Sequence, residues 1–154
     1  MRNYYVGIDV GFKGAISIIH DNNVVIHDMP EKECFNEIAN VLIAIPNDEC
    51  IVGLERQHAF PAQGVVGIFS LGWQYGYLCA LLDYLKMPYI EINPPAWYKY
   101  YGLKGKKDKT AKKRLYATAR KLYPNTELTG KLGAIKDGRV DSILIANYVK
   151  LKHM

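Results

Sequence analysis

The spacing of apolar positions divides the chain into short strands and amphipathic helices. Three β-rich runs separated by turn sequences predict an antiparallel meander, at 4–9, 14–19 and 24–27. Helical spacing follows over 31–44, and a continuous apolar run at 50–54 that ends in Glu55 is typical of a buried central strand. The remaining predicted elements are a strand at 89–92 and helices at 65–86, 94–101, 108–123 and 140–150. Antiparallel strands followed by alternating helices and strands predict an α/β domain with a mixed sheet.

The predicted helix over 65–86 is apolar on both faces. Phe69 and Trp73 lie on one face, and Leu78 and Leu82 lie on the other. A helix of this kind must be covered twice, by its own sheet and by a second surface. Glycines along it would let a partner approach closely, so the pattern predicts a homodimer that forms through this helix.

The stretch over 59–82 has no charged residue and is long enough to cross a bilayer. Its glutamines, serine and glycines make it a poor solute for hydrocarbon, so we expect a buried helix and no membrane partner. The first residues run directly into a strand and do not resemble a cleavable signal. With 154 residues, 49% of them apolar and 23% charged, the sequence predicts a single soluble domain over 1–154, located in the cytoplasm.

Basic residues are concentrated in one segment. Residues 99–121 contain ten lysines and arginines and one acid, a net charge of +9, so the rest of the chain carries −4 of the total of +5. A basic segment on a mildly acidic body favours a polyanionic partner, most simply nucleic acid. The alternative is a lysine-rich helix face that is merely solvated. Aromatic residues at 97, 98, 100 and 101 either stack on bases beside this segment or pack a short helix on the core.

Four carboxylates occupy the ends of predicted elements. Asp9 ends the first strand between two glycines, and Glu55 ends the buried strand. Asp137 and Asp141 lie four residues apart near the start of the last helix, so both point the same way if helical geometry extends back to Asp137. A carboxylate at the end of a buried strand is costly unless it is hydrogen-bonded, paired or metal-bound. Taken singly, Asp9 could form a turn and Asp141 could start a helix; together the four acids predict one cluster.

An acidic cluster of this composition favours a hard divalent cation. Oxygen ligands select Mg²⁺ or Mn²⁺ over zinc, and no set of histidines and cysteines in the sequence competes for that role. Two such ions about 4 Å apart can activate a water on one side of a phosphodiester and stabilise the leaving oxygen on the other. The sequence therefore predicts phosphodiester hydrolysis with two Mg²⁺ ions in the site, which Mn²⁺ can replace.

Four motifs, in order along the chain, resemble one known family. The motif GIDVG at 7–11 is similar to the first strand of RuvC-type Holliday-junction resolvases, within the ribonuclease-H-like superfamily. Three further motifs resemble those of the phage-encoded members of that family: LERQHAFPAQGV at 54–65, KKDK at 106–109 and KDGRVDSILIA at 136–146. The resemblance covers nearly the whole chain. It implies a ribonuclease-H-like fold, with a mixed five-stranded sheet flanked by helices, and a phage origin.

The resemblance also implies a catalytic role for the acidic cluster. Asp9, Glu55 and Asp141 would be metal ligands, with Asp137 as a fourth. Cellular members often place their last two acids three residues apart, whereas this chain has a glycine at that position and Asp137 before it. Lys109 would lie near the scissile phosphate and stabilise the negative charge that develops there. The family is homodimeric, with one site per subunit.

Contacts to DNA are expected from the basic segment and from the residues after the second acid. Cellular members carry an aromatic wedge a few residues beyond that acid. His58 occupies the nearest equivalent position here, and Phe60, just past it, is the candidate wedge. The full set of predicted DNA contacts is Arg56, Phe60, Lys99, Lys104, Lys106, Lys107, Lys112 and Lys113.

Together these features predict a crossover junction endonuclease that makes paired, symmetric nicks with 5′-phosphates in a four-way junction. A nuclease of the same fold that acts on RNA–DNA hybrids or on other branched DNA is one alternative. A junction-binding protein without catalytic activity is another, although a binder of phosphates gains nothing from a buried negative cluster. A sugar-kinase or actin-like ATPase would need a second domain and a second phosphate motif, for which the chain is too short.

Overall fold

Three antiparallel strands begin the chain, and two parallel strands complete the same sheet. The computed structural model describes residues 2–21, 23–30, 35–60, 63–103 and 108–154. The strands are β1 (Tyr4–Asp9), β2 (Ala15–His20), β3 (Asn23–Asp28), β4 (Cys50–Glu55) and β5 (Tyr89–Ile92). Their order is β3-β2-β1-β4-β5, with β1 parallel to β4 and β4 parallel to β5. The α/β class and the mixed five-stranded sheet are confirmed, and β1 lies at the centre of the sheet.

Helices cover both faces of this sheet. They are α1 (Asn36–Ile43), α2 (Val65–Tyr84), α3 (Pro94–Tyr100), α4 (Lys109–Leu122) and α5 (Asp137–His153). Alternate residues of β1 point to opposite faces. Val6 and Ile8 therefore join the core under α1 and α2, whereas Tyr5 joins the core that includes residues of α3, α4 and α5.

The start of α5 is the main difference from the predicted elements. Periodicity placed it at Val140, but the helix begins at Asp137. A Cβ added at Gly138 would lie 2.1 Å from the carbonyl oxygen of Lys13, so the missing side chain lets the first turn of α5 lie directly on the β1–β2 turn. A glycine in this position interrupts the apolar spacing, so the spacing does not predict the first turn of α5.

The other observed elements agree with the predicted ones to within two residues at each end, apart from α1. A helix was predicted over 31–44, and α1 is described only from Asn36 to Ile43. Residues 31–34 lie outside the described part of the chain.

A close approach of backbones joins α5 to the centre of the sheet. A Cβ added at Gly7 in β1 would lie 2.1 Å from the carbonyl oxygen of Ser142 and 2.4 Å from the amide nitrogen of Ala146. The hydroxyls of Ser17 and Ser142 share a buried hydrogen bond of 2.7 Å across the same contact. The first turns of α5 are therefore fixed over the region where β1 ends.

Asp28, at the end of β3, forms ion pairs with Lys136, which directly precedes α5, and with Arg139 in its first turn. Its carboxylate accepts hydrogen bonds from Nε and Nη2 of Arg139, at 2.7 and 2.9 Å, and from Nζ of Lys136, at 2.6 Å. Arg139 also donates to the carbonyl oxygens of Glu127 and Thr129. The hydrogen bonding from Arg139, assisted by Lys136, lowers the pKa of Asp28 from 3.8 to about 2.

We expect Asp28→Asn to lower the free energy of unfolding at pH 7 by about 1 kcal/mol, the scale of a partly exposed ion pair. Because the folded-state pKa of Asp28 is depressed, this difference is fully present above the unfolded pKa of 3.8 and is lost as the pH falls through about 2. Urea unfolding of both proteins between pH 7 and pH 2 measures it, with the exposed Asp48→Asn as a control. A difference that persists unchanged at pH 2 would contradict this assignment.

The chain itself covers only one side of α2. Gln74, Leu78 and Leu82 face the sheet and are buried. The opposite side is apolar and exposed, and we call it the outer face of α2: Val65, Val66, Phe69, Trp73 and Tyr84. At 3.6 residues per turn these five residues lie within an arc of about 100°. Among the described helices, α2 is the one whose length and apolar composition would let it cross a membrane.

Candidate active site

Two of the predicted acids lie at neighbouring strand ends. The parallel register of β1 and β4 pairs Gly7 with Gly53 and Ile8 with Leu54. Asp9 and Glu55, each the next residue, therefore end their strands side by side at one edge of the sheet. Since side chains alternate along a strand, both point to the face that carries α5.

The third acid comes to this edge on α5. Asp141 directly precedes Ser142, whose carbonyl oxygen lies against Gly7 of β1. The side chain of Asp141 is only 6% exposed, and that of Glu55 only 8%. Two carboxylates are thus almost entirely withdrawn from water at the edge where Asp9 also lies, an arrangement that needs compensating interactions.

The pKa of Tyr98 is affected by the charges of all three acids. Burial raises the pKa of Tyr98, and the negative charges of Glu55, Asp141 and Asp9 raise it further. Tyr98 is therefore within electrostatic reach of all three carboxylates, which agrees with their placement at one edge of the sheet.

Glu55 is held by two donors from its own chain. Nε1 of Trp97 donates to Oε1 of Glu55 at 3.0 Å, and Nε2 of Gln57 lies 3.3 Å from Oε2. Trp97 is completely buried. The sequence is compatible with Trp97 either as a base-stacking residue or as a core residue, and the structure places it in the core. The sequence does not predict its hydrogen bond to Glu55. The available signal was general: a buried indole N–H usually finds an acceptor.

Asp137 occupies a different position from the other three acids. It is half-exposed at the first turn of α5, and its Oδ2 accepts a hydrogen bond from Nζ of Lys112. That hydrogen bond raises the pKa of Lys112, and the negative charges of Asp137 and Asp141 act in the same direction. Lys112 therefore lies beside Asp137, and its predicted contact with DNA stays a prediction.

The donor set fits a hard divalent cation in its chemistry. Asp9, Glu55 and Asp141 offer carboxylate oxygens only, which suits Mg²⁺ or Mn²⁺. Within the residues that the structure describes, no three histidine, cysteine or acidic side chains are already arranged as a metal-binding group. The position of Asp137 as a fourth ligand stays a prediction, since its nearest described partner is Lys112.

The predicted DNA contacts fall around this edge and beyond the described residues. Lys109 is the exposed first residue of α4, whose N-cap, Asp108, accepts a hydrogen bond from the amide of Ala111 at 2.8 Å. Lys99 and Lys113 are exposed, and Phe60 is 59% exposed. The other predicted contacts are Arg56, which pairs with Glu91 at 3.4 Å, and Lys104, Lys106 and Lys107, which lie outside the described residues.

No protein-family model matches the chain, and no curated protein is significantly similar to it. Among solved structures the chain is similar to RuvC from Thermus thermophilus. One structure of that protein matches with a TM-score of 0.58 and 15% identity, and its complex with a Holliday junction substrate matches with a TM-score of 0.55 and 16% identity. Each match covers 96% of this chain and 95% of the other. At these identities the similarity establishes the fold, which is RuvC-like.

Proposed function

We propose that the chain is a metal-dependent nuclease that resolves four-way DNA junctions. The observation that carries the proposal is that Asp9 and Glu55 end adjacent parallel strands, and that α5, which carries Asp141, packs closely on β1 at the same edge. The RuvC-like fold adds support, because a RuvC with the same fold has been solved with a Holliday junction substrate. Membership of the phage-encoded branch and a location in the cytoplasm stay predictions.

The acids would hold the metal, and their neighbours would set their geometry. Bound at Asp9, Glu55 and Asp141, Mg²⁺ would supply an activated water and stabilise the leaving oxygen of the phosphodiester. Trp97 and Gln57 orient the carboxylate of Glu55.

The basic residues near this edge would position the DNA backbone. Lys109 begins α4 with its side chain exposed, and Lys113 is exposed one turn later. Lysines bind phosphates as point charges and carry little sequence information. We therefore assign Lys109 to the scissile phosphate and the other predicted lysines to phosphates along the arms of the junction.

Cleavage of four substrates separates this proposal from its rivals. A labelled four-way junction, a Y-fork, an RNA–DNA hybrid and a linear duplex are incubated with the chain, with and without Mg²⁺. We expect paired symmetric nicks with 5′-phosphates in the junction alone, and only with the metal. Preferential cutting of the hybrid or the fork would favour the broader nuclease. Tight junction binding without cutting in either Mg²⁺ or Mn²⁺ would favour a non-catalytic binder.

Trp97→Phe tests whether the indole N–H orients Glu55 for the metal. The substitution keeps a large buried ring and removes the hydrogen bond, so we expect a 10- to 100-fold loss of metal affinity, the usual scale for a partner of a metal ligand. The Mg²⁺ concentration for half-maximal cutting should rise, and junction binding in Ca²⁺ should stay unchanged.

Tyr101→Phe is the matched control for Trp97→Phe. It removes two hydrogen bonds of the same core, one donated by the Tyr101 hydroxyl to the carbonyl oxygen of Leu144 and one accepted from Nδ2 of Asn147, each 2.9 Å long, and neither involves an acid of the site. Its Mg²⁺ requirement should equal that of the wild type. Equal Mg²⁺ requirements in all three proteins would mean that Trp97 serves only to pack the core.

We further propose that the chain is a homodimer through the outer face of α2. The five residues of that face are apolar and exposed, with Phe69 at 73% and Tyr84 at 84% exposure. Added Cβ atoms at Gly72 and Gly76, which lie on or next to this face, would meet no described atom within 4 Å, so a second helix could approach closely.

A charge in the centre of this face is expected to separate the subunits. Phe69→Glu should convert a dimer to a monomer without loss of secondary structure, because the side chain is exposed in the single subunit. Sedimentation velocity measures the state, and Val25→Glu, which charges an exposed apolar site on β3, should remain dimeric. A wild-type monomer that binds neutral phospholipid vesicles through α2 would instead identify the helix as a membrane contact.

A further inference from the structure

A cavity of about 510 Å³ lies beside the candidate active site. The β1–β2 turn forms one wall through Phe12 and Lys13, and the segment before α5 forms the other through Ile135 and Lys136. Asp137 also lines it. Because the β1–β2 turn follows directly after Asp9, and Asp137 lies one helical turn before Asp141, the cavity lies at the edge of the sheet that carries the acids.

The walls of this cavity combine apolar surface with balanced charge. Phe12 is 46% exposed and Ile135 is 39% exposed, although both are large apolar side chains, and Met29 forms a buried part of the lining. Lys136 is paired with Asp28, which also lines the cavity, and Asp137 is paired with Lys112. An anionic ligand such as a free phosphate finds little excess positive charge here, whereas a flat, neutral ring finds an aromatic partner.

We propose that this cavity binds a nucleobase of the cleaved strand, from a nucleotide next to the scissile phosphate. The inference rests on the proposed nuclease function. A strand whose phosphate lies at Asp9 and Asp141 brings the adjoining nucleotide to the mouth of the cavity. Phe12 stacks on the base, Ile135 and Met29 cover its edges, and Lys13 at the rim contacts the backbone. Every base has a π-face, so the cavity anchors the strand through stacking.

Removal of single bases tests this inference. A series of four-way junctions carries one abasic nucleotide at successive positions on either side of the cut, and cutting is measured in single turnovers. We expect one position at which loss of the base slows wild-type cutting about tenfold, the scale of one base stacked on an aromatic ring. Phe12→Ala should cut the intact junction about tenfold more slowly than the wild type does. The abasic nucleotide at that position should change the cutting rate of Phe12→Ala by less than about twofold.

Two controls make the result specific to the cavity. Phe12→Tyr keeps the ring and should restore the wild-type response. Leu151→Ala removes an apolar side chain of similar exposure, 48%, near the far end of α5 and should leave the response unchanged. A wild-type enzyme that cuts every abasic junction at the same rate, or a Phe12→Ala variant with the full wild-type response, would overturn the inference.

A binding measurement distinguishes failure of this inference from failure of the proposed function. 2-Aminopurine, placed at successive positions around the branch point, fluoresces differently when it leaves the stack of the duplex. In Ca²⁺, the wild type should change the signal at one position and Phe12→Ala should not. If the chain binds junctions, never cuts them, and still gives this signal, the nuclease proposal fails and the base cavity stands. If it cuts junctions without giving the signal, the reverse holds.

Discussion

Asp9→Asn and Asp141→Asn are each expected to reduce junction cutting at least about a thousandfold, which corresponds to about 4 kcal/mol of transition-state stabilisation. Each substitution removes a negative charge that would hold the metal and keeps the size of the side chain. Junction binding in Ca²⁺ should remain within about threefold of the wild type, since phosphates are held mainly by lysines. Single-turnover cleavage of a labelled junction and fluorescence anisotropy measure the two quantities.

Asp137→Asn provides a graded comparison within the same helix. Because Asp137 is half-exposed and paired with Lys112, we expect Asp137→Asn to reduce the cutting rate only about tenfold. This loss is well below the one expected for Asp9→Asn or Asp141→Asn. The exposed Asp48→Asn should cut at the wild-type rate. Loss of binding together with cutting, in variants whose circular dichroism is unchanged, would contradict the separation of roles between acids and lysines.

Gly7→Ala is expected to lower the free energy of unfolding by about 3 kcal/mol or more, the upper range for overpacking a core. The new Cβ would lie 2.1 Å from the carbonyl oxygen of Ser142 and 2.4 Å from the amide nitrogen of Ala146. Both are backbone atoms of a helix and cannot turn aside, so α5 would have to move away from β1. The move would carry Asp141 from Asp9, and we expect cutting to fall even in protein that remains folded.

Urea unfolding, with cutting measured at a temperature where both proteins are folded, checks the result for Gly7→Ala. Gly130→Ala is the matched control, because its Cβ would meet no described atom closer than 3.5 Å, an ordinary contact. It should change stability by less than about 1 kcal/mol. Wild-type stability in Gly7→Ala would mean that α5 does not approach β1 as closely as described.

The strands could be predicted from the sequence because their signals are local. Alternating and continuous apolar runs, bounded by turn residues, gave β1 and β5 with the observed limits. The start of α5 was missed because it depends on a tertiary contact: Gly138 packs on the backbone of Lys13, more than a hundred residues away in the chain. Local periodicity carries no information about such a contact.

The candidate site could be predicted only in part, for the same reason. Its acids were recognisable because carboxylates at the ends of apolar runs are unusual. The resemblance to RuvC-type resolvases then implied that they act as metal ligands. Their meeting depends on the parallel register of β1 with β4, which pairs residues 46 positions apart. The hydrogen bond from Trp97 to Glu55 and the ion pair of Lys112 with Asp137 depend on how α3 and α4 lie over the sheet.

Joint binding of divalent cations by Asp9, Glu55 and Asp141 can be tested with a crystal structure of the protein grown with Mn²⁺. Anomalous diffraction locates manganese without reference to activity. We expect at least one anomalous peak about 2 Å from carboxylate oxygens of all three residues, the usual range for a small divalent cation. Manganese bound elsewhere, with this group of acids empty at millimolar Mn²⁺, would contradict it.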